Sequence, residues 1–450
     1  MPDVLVVGGG PAGLSAALAA HDAGADVLVI ERGDRPGGVL NQCIHDGFGV
    51  IEYGERLTGP EYSHRQVAAL REAGDCGANG RTDPGTSRAG PIRLMTGAYL
   101  HTMRREGSHW RLDVITANGV HSIDTASLVM ATGCRERTDR QIYLHGDRPA
   151  GIFTAGQAQR LINIDGAMPG REIVILGSGD IGLIMARRLT LEGAHVRGVY
   201  EIQSAASGLA RNVAQCLQDW NIPLHLHRTV TEVHGCDRVN AVTVCSVDDA
   251  GIPDRDSAVR IPCDTLLLSV GLIPENDVIA DLGIRLEPAT GGPAVTQARE
   301  TEFAGIYVCG NALQVYDLVD YVSECGRASG LAAAAHARDS SEHAESPLTG
   351  GRSSARYARS ARLQTAGIVG HVCPQLLDPT AQEPPVLFLR VTEAADAAVL
   401  TVSHAGRVLQ SRRLSYLRPP QMVRYPMDAG AWAAVRENPS VTVVEVSRAG

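Results

Sequence analysis

Two constellations of glycines and a carboxylate carry the residue types and spacing best suited to chemistry. The first reads Val4-Leu-Val-Val-Gly8-Gly-Gly10-Pro-Ala-Gly13, with Glu31 following 18 residues after Gly13. The second reads Ile173-Val-Ile-Leu-Gly177-Ser-Gly179-Asp-Ile-Gly182, with Glu201 following 19 residues after Gly182. In each, the first glycine permits a tight turn, the second lets backbone approach a pyrophosphate, and the third lets a helix pack on a strand. The helix that follows offers N–H groups and partial positive charge to phosphate. An acidic residue at the end of the next strand can accept hydrogen bonds from a ribose. One such match would be weak in a chain with 49 glycines. Two, each between a strand-like and a helix-like run, point to two dinucleotides passing electrons between them. Glu201 favours NAD over NADP, because a carboxylate repels a 2′-phosphate. Arg211 lies close enough in sequence to keep NADP open.

The elements that must position these residues follow from hydrophobic pattern and turn residues. Residues 3–31 read as a strand, a helix over 12–23 and a strand over 26–31; residues 173–201 repeat that unit. An apolar run ends at Ala131-Thr132-Gly133, and a later one ends similarly at Ser269-Val270-Gly271. A further strand ends at Gly310-Asn311 and leads into a helix. Turn-formers fill residues 74–91, which read as a surface loop. Residues 339–362 turn polar and carry Arg352, Arg356, Arg359 and Arg362, a pattern read as a linker with a solvated basic face. Beyond residue 385 come short alternating strands, which read as a small β-sandwich. The expected fold class is α/β: two Rossmann-like domains, one inserted in the other, and a small C-terminal β-sandwich-like domain. The expected boundaries are 1–150 and 269–340 for the first dinucleotide domain, 151–268 for the second, 341–384 for the linker and 385–450 for the β domain.

Composition narrows the function. A net charge of −9 argues against nucleic acid as the main partner, because phosphate binding needs a basic face. No apolar run approaches the ~18 residues that span a bilayer, and the first strand begins at the third or fourth residue, so a cytoplasmic location is expected. The ten cysteines are scattered, with no C-x-x-C, and resemble neither a zinc site nor a disulfide framework. His225 and His227 alternate on one strand but lack a third ligand, so no metal is expected. The chain has no lysine, which excludes Schiff-base chemistry.

The order of Gly8–Gly13, Glu31, Thr132-Gly133, Gly177–Gly182, Gly271 and Gly310-Asn311 resembles that of the pyridine nucleotide–disulfide oxidoreductase fold, over residues 3 to about 340. Three stretches resemble one branch of it: Gly37-Gly-Val-Leu-Asn-Gln-Cys-Ile-His-Asp-Gly-Phe-Gly49; Ala131-Thr-Gly-Cys-Arg-Glu-Arg137 with Gly151-Ile-Phe-Thr-Ala-Gly156; and Cys309-Gly-Asn311 with Asp317-Leu-Val-Asp-Tyr-Val322. That branch comprises FAD/NAD subunits that accompany a dehydrogenase resembling glycerol-3-phosphate dehydrogenase. The α subunits of opine oxidases and hydrogen cyanide synthases are similar at greater distance.

The resemblance implies FAD at the first site and NAD(H), in preference to NADP(H), at the second. FAD would meet Gly8, Gly10, Pro11, Ala12, Gly13, Glu31, Arg32, Gly38, Ala98, Ala131, Thr132, Gly133, Gly310 and Asn311. The helix starting near Val319-Asp320 would aim its positive end at the flavin pyrimidine ring. NAD would meet Gly177, Gly179, Asp180, Ile181, Gly182, Glu201 and Gly271. Asn311 stands where the fold usually has an aspartate, and Ile184 where many members have a glutamate. The second cysteine of a redox pair is missing beside Cys43, which removes a dithiol mechanism.

The leading expectation is an FAD-dependent, NAD(P)-linked oxidoreductase serving as electron-transfer subunit for a partner dehydrogenase, in a hetero- or homo-oligomer, with a small molecule as final donor or acceptor. A second is a stand-alone NADH oxidase or peroxidase using Cys43, with His45 lowering the thiol pKa or acting as a base. A third is a nucleotide-binding redox sensor without turnover. Cys134, beside Gly133, reads as a buried structural thiol.

Overall fold

A computed structural model describes residues 1–78, 90–342, 355–438 and 440–449. The chain divides into two units, Met1–Cys134 with Pro274–Gly450, and Arg135–Ile273.

The first unit is built on the apolar run Val4–Val7, whose four residues are all buried. A strand covered on both faces cannot alternate, and its uninterrupted apolar sequence reflects that. Its neighbours are Val27–Ile30 on one side and Ser127–Met130 on the other, both parallel, with Val4 opposite Val27 and Ser127. Ile92–Met95 and Ile306–Val308 complete the five parallel strands. The helix Pro11–Asp22 returns across this sheet and packs on the long helix Val319–Glu342. Small residues bring the two helices together: a Cβ on Gly326 would lie 2.2 Å from Ala12 O, and one on Gly330 2.0 Å from Ala16 O. An antiparallel sheet, Tyr99–Glu106, His109–Thr116 and Gly119–Thr125, is appended.

The second unit repeats this plan around Glu172–Leu176, flanked in parallel by His195–Tyr200 and Thr265–Leu268 and extended by Leu224–His225 and Ile152–Thr154. Its boundaries are wider than the expected 151–268. His145–Gly146 pairs with Arg228–Gly235, and Glu136 holds Thr154 Oγ1 and the Gly156 N–H, so residues 135–150 fold with this unit.

The C-terminal region belongs to the first unit. One sheet orders Leu376–Leu377, Ala361–Gly367, Thr442–Arg448, Ala395–His404 and Arg407–Leu417. A second orders Val369–Cys373, Val386–Val391 and Val423–Pro426. They share a core with the helix Ala429–Glu437, whose Trp432 is buried. The expected linker over 341–384 is therefore corrected: three strands lie within it. Ala361–Gly367 buries a single residue, Leu363, and is otherwise exposed or half-buried, so it shows no hydrophobic alternation that the sequence pattern could register. Arg362 pairs with Glu287 at 2.6 Å, and Arg356 with Asp339 at 3.5 Å; Arg352 lies outside the described residues. The expected loop over 74–91 is also corrected in part. The helix Gly59–Ala78 runs into it, and Gly74 serves close packing, since its Cβ would lie 3.3 Å from Ile92 O. Of the remainder, 79–89 lies outside the described residues, and Gly90 and Pro91 lead into the strand Ile92–Met95.

Candidate dinucleotide sites

At the first site the chain turns at Gly8, whose φ of +108° excludes most side chains and whose Cβ would lie 2.4 Å from Ala131 O. Gly13 passes directly over that turn: a Cβ there would lie 1.8 Å from Gly8 O. Gly10 is different. A Cβ on it meets only Gly38 Cα, at 3.9 Å, so this glycine leaves room for an approaching ligand. The helix starting at Pro11 has no side-chain cap and no acidic residue in its first turn, so its orphan N–H groups face no negative side chain of that turn. Glu31 braces the loop, accepting from Gly9 N and Gly33 N at 2.7 Å each, while Ala98 N donates to the Glu31 carbonyl at 2.9 Å. Arg32 is exposed.

These residues fit FAD. A glycine with open space beside an uncapped helix is a pyrophosphate cradle. Gly133 adds a second open position, with nothing within 4 Å of where its Cβ would be. Thr132 Oγ1 donates to Glu275 O at 2.6 Å, which fixes the strand end beneath that opening. Gly310 abuts the first helix, with a Cβ position 2.7 Å from Ala12 Cβ. Asn311 Nδ2 donates to Cys134 Sγ at 3.5 Å, and its Oδ1 accepts from Tyr316 N at 3.1 Å. Cys134 is thus half-buried rather than buried, which corrects the expectation of a buried structural thiol. Asp320, in the first turn of the long helix, accepts from Ile51 N and Glu52 N at 3.2 and 2.7 Å.

Cys43 closes the 3-10 turn Gly38–Gln42 and is half-buried. Its Sγ donates to Val39 O at 3.3 Å. His45 packs its ring 4.9 Å from that of Phe48, with Nδ1 3.2 Å from Asp46 O. Beside them, Tyr62 is fully buried, its hydroxyl 2.7 Å from Ser323 Oγ, and burial pushes its phenol pKa up.

The second site has the same backbone. Gly177 turns at φ +89°, with its Cβ position 2.2 Å from Ser269 O, and Gly182 N donates to Ser269 Oγ at 3.2 Å. Its helix, starting at Asp180, is also uncapped. Asp180 Oδ1 instead accepts from Leu209 N and Asn212 Nδ2, at 2.8 and 2.7 Å. Ile181 is half-buried, and Gly271 O accepts from Arg137 N at 3.0 Å. Glu201 is only 3% exposed. It accepts from Ser178 N (2.9 Å), Ser178 Oγ (2.5 Å), Ser207 Oγ (2.9 Å) and Gln203 N (3.0 Å). Ser178, Ser207 and Glu136 are residues that sequence reasoning missed. Ser178, inside the fingerprint, and Glu136, inside the stretch Ala131–Arg137, lie in motifs that could have found them; Ser207 lies in none.

His225 stacks on Tyr200, ring centroids 4.7 Å apart. Burial, with Arg228 nearby, pushes its pKa down. Among the described residues no group of three or more His, Cys, Asp or Glu could hold a metal. No described helix is long and apolar enough to cross a membrane.

Two parallel-sheet units, each with a carboxylate-braced glycine loop under an uncapped helix, define a two-dinucleotide flavoprotein fold. The chain belongs to the pyridine nucleotide-disulphide oxidoreductase family, whose model matches residues 2–338. Membership places it among FAD- and NAD(P)-dependent oxidoreductases. It is 28% identical over 298 residues to hydrogen cyanide synthase subunit HcnB of Pseudomonas aeruginosa, covering 62% of this chain and 59% of that protein. It is also 28% identical over 349 residues to an opine oxidase subunit from Agrobacterium tumefaciens, covering 74% and 65%. The chain thus spans less than two thirds of the length of these two relatives. Among solved structures, thioredoxin reductase of Lactococcus lactis superimposes with a TM-score of 0.60 at 20% identity, over 75% of this chain and 100% of that one. That likeness concerns the fold.

Proposed function

We propose that the chain exchanges a hydride between NAD(H) at the second site and FAD at the first, as the electron-transfer subunit of a multi-subunit dehydrogenase. The observation that carries this reading is the pair of complete loops, each with three glycines, a bracing carboxylate and an uncapped helix start. FAD, when bound, supplies the redox chemistry; the protein supplies binding, orientation and electrostatics. Gly10 and the helix start at Pro11 would take one pyrophosphate, and Gly179 and the helix start at Asp180 the other. Glu31 and Glu201 would receive the riboses. Burial of the Glu201 carboxylate supports NAD over NADP, because a 2′-phosphate would bring a second negative charge beside it. The relatives named as subunits support a partner dehydrogenase. A cytoplasmic setting is part of this reading, in keeping with the acidic net charge.

Anaerobic titration with NADH should bleach the flavin band near ~450 nm. A flavin that stays oxidised with both NADH and NADPH overturns the hydride step and leaves the nucleotide-sensor reading. Reduction without turnover until a co-purifying subunit is added supports the partner assignment. Turnover by the isolated chain with oxygen or peroxide, abolished in Cys43→Ser, replaces it with the stand-alone oxidase.

A further inference from the structure

The segment from Asn311 to the start of the helix Val319–Glu342 carries two of the features assigned to FAD, and the C-terminal domain grips it at several points. Asp317, two residues before that helix, receives the Arg390 guanidinium on Oδ1 and Met422 N on Oδ2, the latter at 2.6 Å. Arg390 Nη2 also donates to Val315 O at 3.0 Å. Further along the helix, Arg424 makes a two-pronged contact with Glu324, at 3.0 and 2.7 Å. Between these pairs Phe388 packs edge-on against Tyr316 and Tyr321, at 5.3 and 5.4 Å. The side chains of Arg390 and Asp317 are 20% and 14% exposed, so their pairing is poorly screened. Arg448–Glu393, in the same domain, is about 60% exposed on both sides.

This arrangement does two things. It fixes the backbone between Asn311, whose Oδ1 takes Tyr316 N, and Asp320, whose carboxylate takes Ile51 N and Glu52 N. It also neutralises a carboxylate placed just ahead of a helix N-terminus. Reduction adds negative charge to a flavin, so an uncompensated carboxylate near its site makes reduction harder and an uncompensated cation makes it easier.

We propose that Arg390, with Arg424 in support, is a positioning residue through which the C-terminal domain sets the geometry and the electrostatics of the flavin end of the long helix. The inference rests on FAD occupying the first site. Arg390→Gln leaves Asp317 without its cation and should lower the flavin midpoint potential. Asp317→Asn leaves Arg390 without its anion and should raise it. A purely structural role would not give shifts of opposite sign. Arg424→Gln should act in the direction of Arg390→Gln but less, because Glu324 is more exposed and lies within the helix. Arg448→Gln should change nothing.

The experiment is a spectroelectrochemical titration of the full-length holoprotein and these variants, with FAD release followed by fluorescence. Opposite shifts for Arg390→Gln and Asp317→Asn, with faster FAD release in both, support the proposal. Flavin-loaded variants with unchanged potentials, or with shifts of the same sign, overturn it. If Arg390→Gln loses its C-terminal fold, Asp317→Asn keeps the question open to test: no rise in potential then overturns the proposal. Purification of the wild-type chain without FAD, and failure to load it, would instead overturn the assignment of the first site.

Discussion

The two fingerprint loops share a backbone and differ in what their carboxylates touch. Glu31 accepts two hydrogen bonds, both from backbone N–H groups. Glu201 accepts four, two of them from the Ser178 and Ser207 hydroxyls. An ionised carboxylate offers about four lone-pair sites. Glu31, with one donor on each oxygen, therefore has capacity left for ribose hydroxyls, whereas Glu201 Oε2 is crowded by three donors of its own chain and only Oε1, with one, keeps room. The helix starts differ in the same sense: Pro11 brings no charge, while Asp180 brings a carboxylate that is held by Leu209 N and Asn212. Glycine spacing sets the loop, but the following turn of chain sets how readily a ligand enters it. On the proposed assignment, the first carboxylate is the more open of the two to a ribose, and the second is the more occupied by its own chain.

The largest expected effect tests the shared backbone. Gly13→Ala would place a methyl 1.8 Å from the Gly8 carbonyl oxygen, whereas the equivalent Gly182→Ala meets the Ser269 side chain at 2.7 Å. Overpacking against backbone cannot relax by a rotamer change, so Gly13→Ala should cost about 3 kcal/mol or more and abolish FAD retention. At Gly182 the nearest atom, Ser269 Cβ, is likewise fixed to the backbone, but the overlap is shallower, so Gly182→Ala should cost roughly half that. Flavin stoichiometry and thermal melting check both, and equal effects would break the distinction between the loops.

Gly179→Glu comes next. Its φ of −62° suits any residue, and its Cβ would lie 3.0 Å from Ser269 Oγ, so the loop can keep its shape. The new carboxylate would meet the nucleotide pyrophosphate. A like-charge contact of ~3 kcal/mol corresponds to roughly 100-fold in affinity. Stopped-flow mixing with NADH should show flavin reduction slowed on that order while FAD stays bound.

The third effect separates the units by pH. His336 and His371 both lie in the first unit, and burial lowers each pKa to about 4. Both stay neutral in the fold, while an unfolded chain protonates them near ~6.5. Between those values the unfolded state binds more protons, so stability present above about 6.5 falls as pH drops towards about 4. By pH 5 the loss is on the order of 1–2 kcal/mol for each histidine. Hydrogen exchange at pH 7 and pH 5 should show the first unit loosening more than the second. His336→Phe should reduce the difference, and an unchanged profile would remove the histidines as its cause.

Much of this was legible in the sequence because backbone constraints leave a local signature. Gly8, Gly13 and Gly177 stand where any side chain would strike a carbonyl; Glu31 follows the apolar run Val27–Ile30, and Glu201 follows the mixed strand His195–Tyr200 at the spacing that its fingerprint sets. Contacts between distant segments left no such trace. Arg390 lies 73 residues from Asp317, and nothing in either neighbourhood names the other. The helix Ala429–Glu437 was hidden by its shortness, and the strand Ala361–Gly367 by having only Leu363 buried. Ser207 sits in the run Ser204-Ala-Ala-Ser207-Gly208, where nothing in the sequence marks it.

Ser207→Ala is the smallest change and the most direct test of the comparison. Removing the Ser207 hydroxyl deprives Glu201 of one of its four donors without touching the fingerprint or the charge. If that hydroxyl occupies the place of a ribose hydroxyl, nucleotide binding in the wild type must break one charge-assisted hydrogen bond to make another. In the variant, the vacated lone pair of a buried carboxylate is left unsatisfied until the ribose arrives. The difference should be about 1 kcal/mol, or roughly fivefold tighter binding of NADH. Isothermal titration calorimetry of NADH on both proteins checks it, and FAD affinity should be the same in the two. Weaker binding in Ser207→Ala would mean that the hydroxyl orients Glu201 for the ribose, and the two loops would then differ in how they are braced rather than in how open they are.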